Sequence, residues 1–219
     1  PSSQAIAVPP DYGLNILLEI GQILSSSLEL RESFGRVMQI ISDRMRMHRG
    51  TLVLLDESSG RLRTEAAIGL STEDMERNRF ALGEGITGNV VAMGRPRIIR
   101  DVRSEPDFLN RTGRLSATPP DHPVSYLCIP IKVDGRTAGA LAVDKLFVSD
   151  EQLTADHRFL DILCAFLAQA IQVNRMVMRQ KEGLLEENAQ LRAQVRARYR
   201  VEDIIGAPPA LHEGFAHTG

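Results

Sequence analysis

The chain has 219 residues, 43% of them hydrophobic and 25% charged, with a net charge of −2; that is enough for one domain of ordinary size plus an appendage. The near-neutral balance gives no global electrostatic reason to bind nucleic acid, and with no secretory signal and no apolar run approaching the roughly 20 residues that span a bilayer, no membrane partner is expected. The two cysteines, Cys128 and Cys164, lie too far apart for a CxxC metal or redox motif and point to a reducing, cytoplasmic setting.

The chain opens at Pro1 without methionine and is therefore expected to be a piece of a longer protein, with residues 1–10 a Pro/Ser-rich disordered leader. From Asp11, a candidate N-cap, the pattern turns helical, with Leu14, Leu17, Leu18, Gly21, Leu24 and Leu28 on one predicted face. A second helix carries Leu30, Phe34, Val37, Ile41 and Met45 near one stripe and exits at Gly50. The period then drops to two. "TLVLLD" (51–56) predicts a buried strand, "ESSG" a turn, and Leu62, Thr64, Ala66 and Ile68 alternate along the next strand. Ser71 and Asp74 make a capping-box pattern for a short helix. A short strand-like run leads into "LGEGITG" (82–88), a helix from about Ile86 to Met93, and the strand "PRIIR". Residues 101–123 form a long irregular connection, a length usually associated with function or mobility. In "SYLCIPIKVDGRTAGALAVDK", Asp134-Gly135 predicts a type I′ hairpin turn. Leu127, Ile129, Ile131 and Val133 share one face of its first strand, and Ala138, Ala140 and Ala142 give the second strand a surface of small side chains. Ser149, with Gln152 three residues on, caps a final helix expected to run from about Glu151 to about Tyr199.

Gly83-x-Gly85-x-x-Gly88 is the spelling of a dinucleotide-binding fingerprint, but its context is wrong. That motif needs a buried parallel strand before it and a long crossover helix after it. Here the strand is short, the helix ends at Gly94 and Pro96, and an antiparallel hairpin follows. No GxxxxGK[ST] P-loop is present. Two readings remain: a tight turn that lets a short helix pack closely on a sheet, or a helix N-terminus whose amides at Gly85, Ile86, Thr87 and Gly88 cradle a small anion.

The element order, with "GEGITGNVVAMGRP" and "CIPIKVDGRTAGALAVDK", resembles a GAF domain across about residues 14–175. "RFALGEGITGNVVAMGRP", "RSEPDFLNRTG" and "RFLDILCAFLAQAI" are similar to the N-terminal GAF domain of NifA-type nitrogen-fixation activators, which depend on sigma-54. "YRVEDIIGAPPALHE" (199–213) is similar to the segment that leads into their AAA+ domain. The resemblance implies an α+β fold: a central antiparallel sheet with helices on one face, a ligand pocket on the other, and a long C-terminal coiled-coil helix. It divides the chain into a leader (1–10), the GAF sensory domain (11–175), a signalling helix (176–200) and the start of a linker to a missing AAA+ domain (201–219). It implies a regulatory sensor that binds a small ligand or a partner protein and controls a downstream ATPase. The implied effector is a small molecule such as 2-oxoglutarate or a nucleotide, with no required cofactor. The implied partners are a nitrogen-signalling regulatory protein and, through missing domains, sigma-54 RNA polymerase and DNA. The pocket would be formed by Arg79, Gly85, Ile86, Thr87, Gly88, Arg97, Asp101, Arg103, Phe108 and Tyr126, the three arginines being carboxylate partners for an oxo-acid. Bilin and haem chemistry fit poorly, since Cys128 sits mid-strand and His48, His122 and His157 lie at a helix end, in a loop and in a helical first turn. "DKLFVSDE" partly echoes the cyclic-nucleotide GAF motif through Lys145, Phe147, Asp150 and Glu151. The alternatives are a GAF domain of a signalling enzyme, such as a histidine kinase or cyclic-nucleotide-related enzyme, and an empty GAF scaffold. No catalytic or metal-ligating set stands out, so no turnover is expected.

The final helix carries a second signal. With Leu160 at position a of a heptad, the a positions continue through Leu167, Asn174, Lys181, Asn188 and Val195, and the d positions are Leu163, Ala170, Val177, Leu184, Leu191 and Arg198. Apolar d positions with Asn at a suit a parallel two-stranded coiled coil, and Glu187 at g would reach Arg192 at e of the partner. The expected homodimer seam is Leu163, Leu167, Asn174, Val177, Lys181, Leu184, Asn188 and Leu191.

Overall fold

The computed structural model describes residues 10–27, 29–47, 49–77, 80–109 and 122–205. The leader through residue 9, Arg79, residues 110–121 of the long connection, and residues 206–219 of the C-terminal segment lie outside the described residues.

Six strands form one antiparallel sheet in the order β3-β2-β1-β6-β5-β4: β1 Arg49–Asp56, β2 Arg61–Ile68, β3 Phe80–Ala81, β4 Arg97–Ile99, β5 Val124–Val133 and β6 Arg136–Leu146. The β5–β6 turn takes positive φ at both Asp134 (51°) and Gly135 (76°), as the sequence predicts. The β1–β2 turn closes on Asp56, whose carboxylate accepts from the Ser58 amide and both serine hydroxyls.

One face of the sheet is covered by α1 (Pro10–Ser26), α2 (Leu30–Met45) and the first part of α5 (Asp150–Ile205). Phe34, Val37, Met38 and Ile41 of α2 and Leu160, Leu163, Leu167 and Ile171 of α5 meet Leu127, Ile129, Ile131, Leu141 and Val143 there. In α1 the buried stripe is Ile16, Ile20, Ile23 and Leu24, while Leu14 and Leu18 are exposed. The leucine stripe read from sequence is therefore not the core face. Helix α1 is already formed at Pro10, which suits a first-turn position, so Asp11 lies inside the helix and not at its N-cap.

The opposite face carries a second apolar cluster of Val53, Leu62, Tyr126, Cys128, Ala140 and Ala142 beneath α4 (Gly85–Met93). Two register shifts modify the alternation expected from sequence. One between Leu52 and Val53 sends Leu62 to the α4 side and Ala66 to the helical core. Another between Ile131 and Lys132 turns Ala138 into the helical core and leaves Ala140 and Ala142 under α4.

The capping interactions follow the pattern. Ser71 accepts from the Asp74 amide at the start of α3 (Thr72–Arg77), and Ser149 accepts from the Gln152 amide at the start of α5. The Gln152 side chain turns inward to Asp156, which also binds Lys145 in a buried ion pair at 2.6 Å. The "DKLFVSDE" stretch thus serves to join β6 to α5.

The chain divides into two compact units at Asn174 and Arg175. In the second, Leu184, Leu185, Leu191 and Val195 are exposed along the helix. Helix α5 contains an 18-residue window of mean hydropathy 1.3, so the expectation that no stretch approaches spanning composition is corrected. Its apolar residues Leu160, Leu163, Cys164, Leu167 and Ile171 are buried against the sheet, as in a core helix.

Candidate functional site

The three glycines of "LGEGITG" have separate geometric reasons. Gly83 and Gly85 take positive φ (78° and 62°), where a side chain is strained. A Cβ on Gly88 would sit 2.5 Å from the Ala81 carbonyl oxygen, so α4 packs directly on the turn before it. Gly88 donates to the Glu84 carbonyl and accepts from the Gly83 amide, each at 3.0 Å. Leu109 lies over the helix start, where a Cβ on Gly85 would come within 2.8 Å of its side chain. Glu84 places a carboxylate at the same helix end, bound to the Ala81 amide at 2.8 Å. A helix N-terminus with an acid at its N-cap position and a leucine over its first residue is a poor cradle for an anion. With a nine-residue helix on an antiparallel sheet, nothing here resembles the dinucleotide βαβ unit.

Small side chains set the depth of the site. Ala140 and Ala142 on β6 let α4 lie close to β5 and β6. Thr87 points inward from α4, and its hydroxyl lies 3.0 Å from the Tyr126 hydroxyl in a buried pair. Phe108 stands edge-on to Tyr126, ring centres 5.9 Å apart. Ile86 and Val90 complete the apolar lining. The structure therefore brings Ile86 and Thr87 of α4 together with Tyr126 of β5 and Phe108 of the loop before it.

Of the three arginines read from sequence, Arg79 lies outside the described residues and the other two are engaged elsewhere. Arg97 pairs with Glu105 at 2.9 Å, and Arg103 donates to the His122 carbonyl at 2.5 Å. Asp101 holds the loop, accepting from the backbone amides of Arg103 and Val124. Two residues that the sequence reading did not select share the sheet face of Tyr126. Asp144 is buried on β6, directly cross-strand from Tyr126 on one side and Arg49 on the other. The Arg49 Nη1 atom is buried and has no hydrogen-bond partner among the described residues. The available signal was period two: Arg49 shares the face of Thr51 and Val53, while Gly50 faces α2. Apolar walls with a few convergent polar groups are the usual composition of a small-molecule site.

Cys128 and Cys164 are free thiols. Both are buried, and burial, followed by the neighbouring Cys128, pushes the Cys164 thiol well above its ordinary range. Among the described residues no three His, Cys, Asp or Glu side chains converge into a group that could hold a metal ion.

In the expected dimer seam the two units differ. Leu184 and Leu191 are exposed, whereas Leu163 and Leu167 are 0% and 1% exposed within the protomer's own core. Those two residues are therefore unavailable to a second chain. A strict heptad cannot be continued into this part of the helix, because the sheet already occupies its a and d positions.

The chain is 33% identical to the Nif-specific regulatory protein of Herbaspirillum seropedicae over 92% of its length, and 32% identical to the nitrogen fixation protein VnfA of Azotobacter vinelandii over 92%. It spans 37% and 39% of those two proteins. Among solved structures it superposes on the nlh2 GAF domain of A. aeolicus with a TM-score of 0.67 and 24% identity, covering 74% of this chain and 96% of that one. The GAF domain of a phosphoenolpyruvate-protein phosphotransferase from Coxiella burnetii gives a TM-score of 0.64 at 24% identity, covering 76% and 96%. The GAF domain family matches residues 29–171, more than half of the sequence, and the chain belongs to that family.

Proposed function

We propose that this chain is the regulatory sensor module of a sigma-54-dependent, NifA-like transcriptional activator. In this reading it binds a small effector or a partner protein and controls a downstream AAA+ ATPase through a dimeric signalling helix. The observation that carries the reading is the 92% alignment to a Nif-specific regulatory protein, extending beyond the GAF domain into the helix that follows. The proposed effector position is between α4 and the sheet, beside Thr87, Phe108 and Tyr126, with Arg49 on the same sheet face as Tyr126 two strands away. A carboxylate such as that of 2-oxoglutarate would suit the Arg49 guanidinium, which offers a bidentate fork. Coupling requires two arrangements of the helix with different effector affinities.

A chimera tests this. The chain replaces the corresponding module of a Nif-specific regulatory protein, and a sigma-54-dependent reporter is measured under nitrogen-replete and nitrogen-starved growth. The expected result is a reporter whose output changes several-fold with nitrogen status. A reporter indistinguishable from that of an activator lacking the module would overturn the proposal. Thermal shift of the isolated chain with 2-oxoglutarate and nucleotides then separates a small-molecule effector from a partner protein, since a ligand at 100 times its Kd stabilises by about 2.7 kcal/mol.

A further inference from the structure

Helices α4 and α5 lie on opposite faces of the sheet, and the turn end of the β5–β6 hairpin meets both of them. On the α4 side, a Cβ on Gly94, the C-cap of that helix, would sit 3.0 Å from the Thr137 hydroxyl oxygen and 3.6 Å from the Lys132 side chain. On the α5 side, Val133 and Ala138 belong to the buried cluster that holds Leu167 and Ile171. The turn itself also reaches α5, where the Gln172 side-chain amide donates to the Asp134 carboxylate at 2.7 Å. Gln172 stands just before Asn174, where the first compact unit ends.

The bulge explains how one hairpin end serves two helices. Gly139 pairs with Ile131 and Thr137 with Lys132, so Ala138 is the extra residue between them. Ala140 and Ala142 face α4, and an unbroken alternation would send Ala138 the same way. The bulge reverses it: Ala138 enters the helical core and Thr137 meets the end of α4. Helix α4 is thus held at its first turn by the Thr87–Tyr126 bond and at its C-cap by the hairpin. It has only nine residues and moves as one body, so a molecule entering between it and the sheet presses Gly94 against Thr137.

We infer that the β5–β6 hairpin end is a lever coupling the seating of α4 to the end of the core segment of α5, with the Asp134–Gln172 bond as its latch. One net hydrogen bond shifts an equilibrium by about fivefold, enough to bias two arrangements without locking either. The inference deepens the sensor reading above, on which its regulatory meaning rests. The coupling itself is a property of the fold and is measured without any effector.

Amide hydrogen exchange of the full chain tests the coupling. The Gly94 amide, bonded to the Val90 carbonyl at 2.9 Å, reports on the last turn of α4. Gln172→Ala puts a better helix former on α5, and Asp134→Gly keeps the positive φ of the turn while removing the carboxylate. Each should speed exchange at Gly94 by about fivefold, on the face of the sheet away from Gln172. Asp134→Asn keeps an acceptor oxygen and tolerates positive φ, so it should stay close to the parent. Changes confined to residues 132–137 and the neighbourhood of Gln172, with the α4 amides unaltered, would overturn the inference. In the chimera described above, Gln172→Ala and Asp134→Gly should abolish most of the several-fold difference between nitrogen states. If the parent chimera responds and both variants respond as it does, the lever has no regulatory role and the inference fails while the sensor reading stands. A parent chimera without any response removes the sensor reading, and the exchange rates alone then decide the coupling.

Discussion

The hydroxyls of Thr87 and Tyr126 bind each other directly at 3.0 Å, beside a cluster of Val, Ile, Leu, Ala, Cys and Phe side chains. A buried hydrogen bond of this kind contributes about 1 kcal/mol. Thr87→Val and Tyr126→Phe should each lower unfolding stability by about that amount. Because both remove one bond, the double variant should cost about 1 kcal/mol less than the sum, measured by urea unfolding. Strictly additive costs would show that the pair does not form in solution. Asp56, in the β1–β2 turn, supplies a second test. The Ser58 hydroxyl, then the Ser59 hydroxyl, hold its carboxyl down from 3.8 to about 2, although it is fully exposed. The folded value is the lower one, so its stabilising effect is present above about pH 4 and disappears as the pH falls through 2. An NMR titration of the Asp56 carboxyl should give a midpoint near 2, and Ser58→Ala should move it upward; a midpoint at the ordinary aspartate value would show an open turn.

At the scale of elements, the sequence was most legible where chemistry is local. The Asp134-Gly135 turn, the Ser71 and Ser149 caps and the apolar face of β5 follow from a few neighbouring residues and appear as expected. Less legible were features decided by partners distant in sequence. Nothing local to Ala138 announces the bulge that turns it into the helical core, since the register of β5 and β6 is a property of two strands together. On α1 the leucine periodicity was real, but α2 and α5 select the isoleucine stripe for the core. Arg49 escaped notice because one arginine at a strand start looks like any surface arginine until Asp144 and Tyr126 are paired alongside. The join between β6 and α5 offers the sharpest test at this scale. Lys145 and Asp156 form an ion pair with side chains only 10% and 3% exposed, and Gln152 also binds the acid. Removing one partner of a buried pair costs about 3–5 kcal/mol, whereas replacing both by apolar residues can be nearly neutral. Lys145→Met should therefore lower stability by about 3 kcal/mol, and adding Asp156→Leu should restore much of the loss. A cost under about 1 kcal/mol for Lys145→Met in chemical denaturation would mean that water reaches the pair.

At the scale of the whole molecule, the proposed pairing would draw on residues of α5 that the folded core leaves exposed. The core of the GAF domain takes Leu160, Leu163, Leu167 and Ile171, all within the first unit. The exposed residues Leu184 and Leu191 belong to the second unit and are absent from that core. A strand of exposed leucines on a charged helix has little to gain from water, and in a pair each buried leucine contributes about 1.5–3 kcal/mol. Placing an acid there sets two like charges against each other across a two-fold seam. If the chain pairs as proposed, Leu184→Asp with Leu191→Asp should therefore convert the dimer to a monomer in sedimentation at micromolar concentration. The same variant should leave urea unfolding of the GAF domain unchanged within about 0.5 kcal/mol, because surface substitutions away from packed features rarely exceed that. If the domain unfolded in step with the loss of pairing, its core would depend on the second chain, and the division of α5 into a folding part and an associating part would fail. If instead the doubly acidic variant still sedimented as a dimer, the association would have to lie outside the 177–195 stripe.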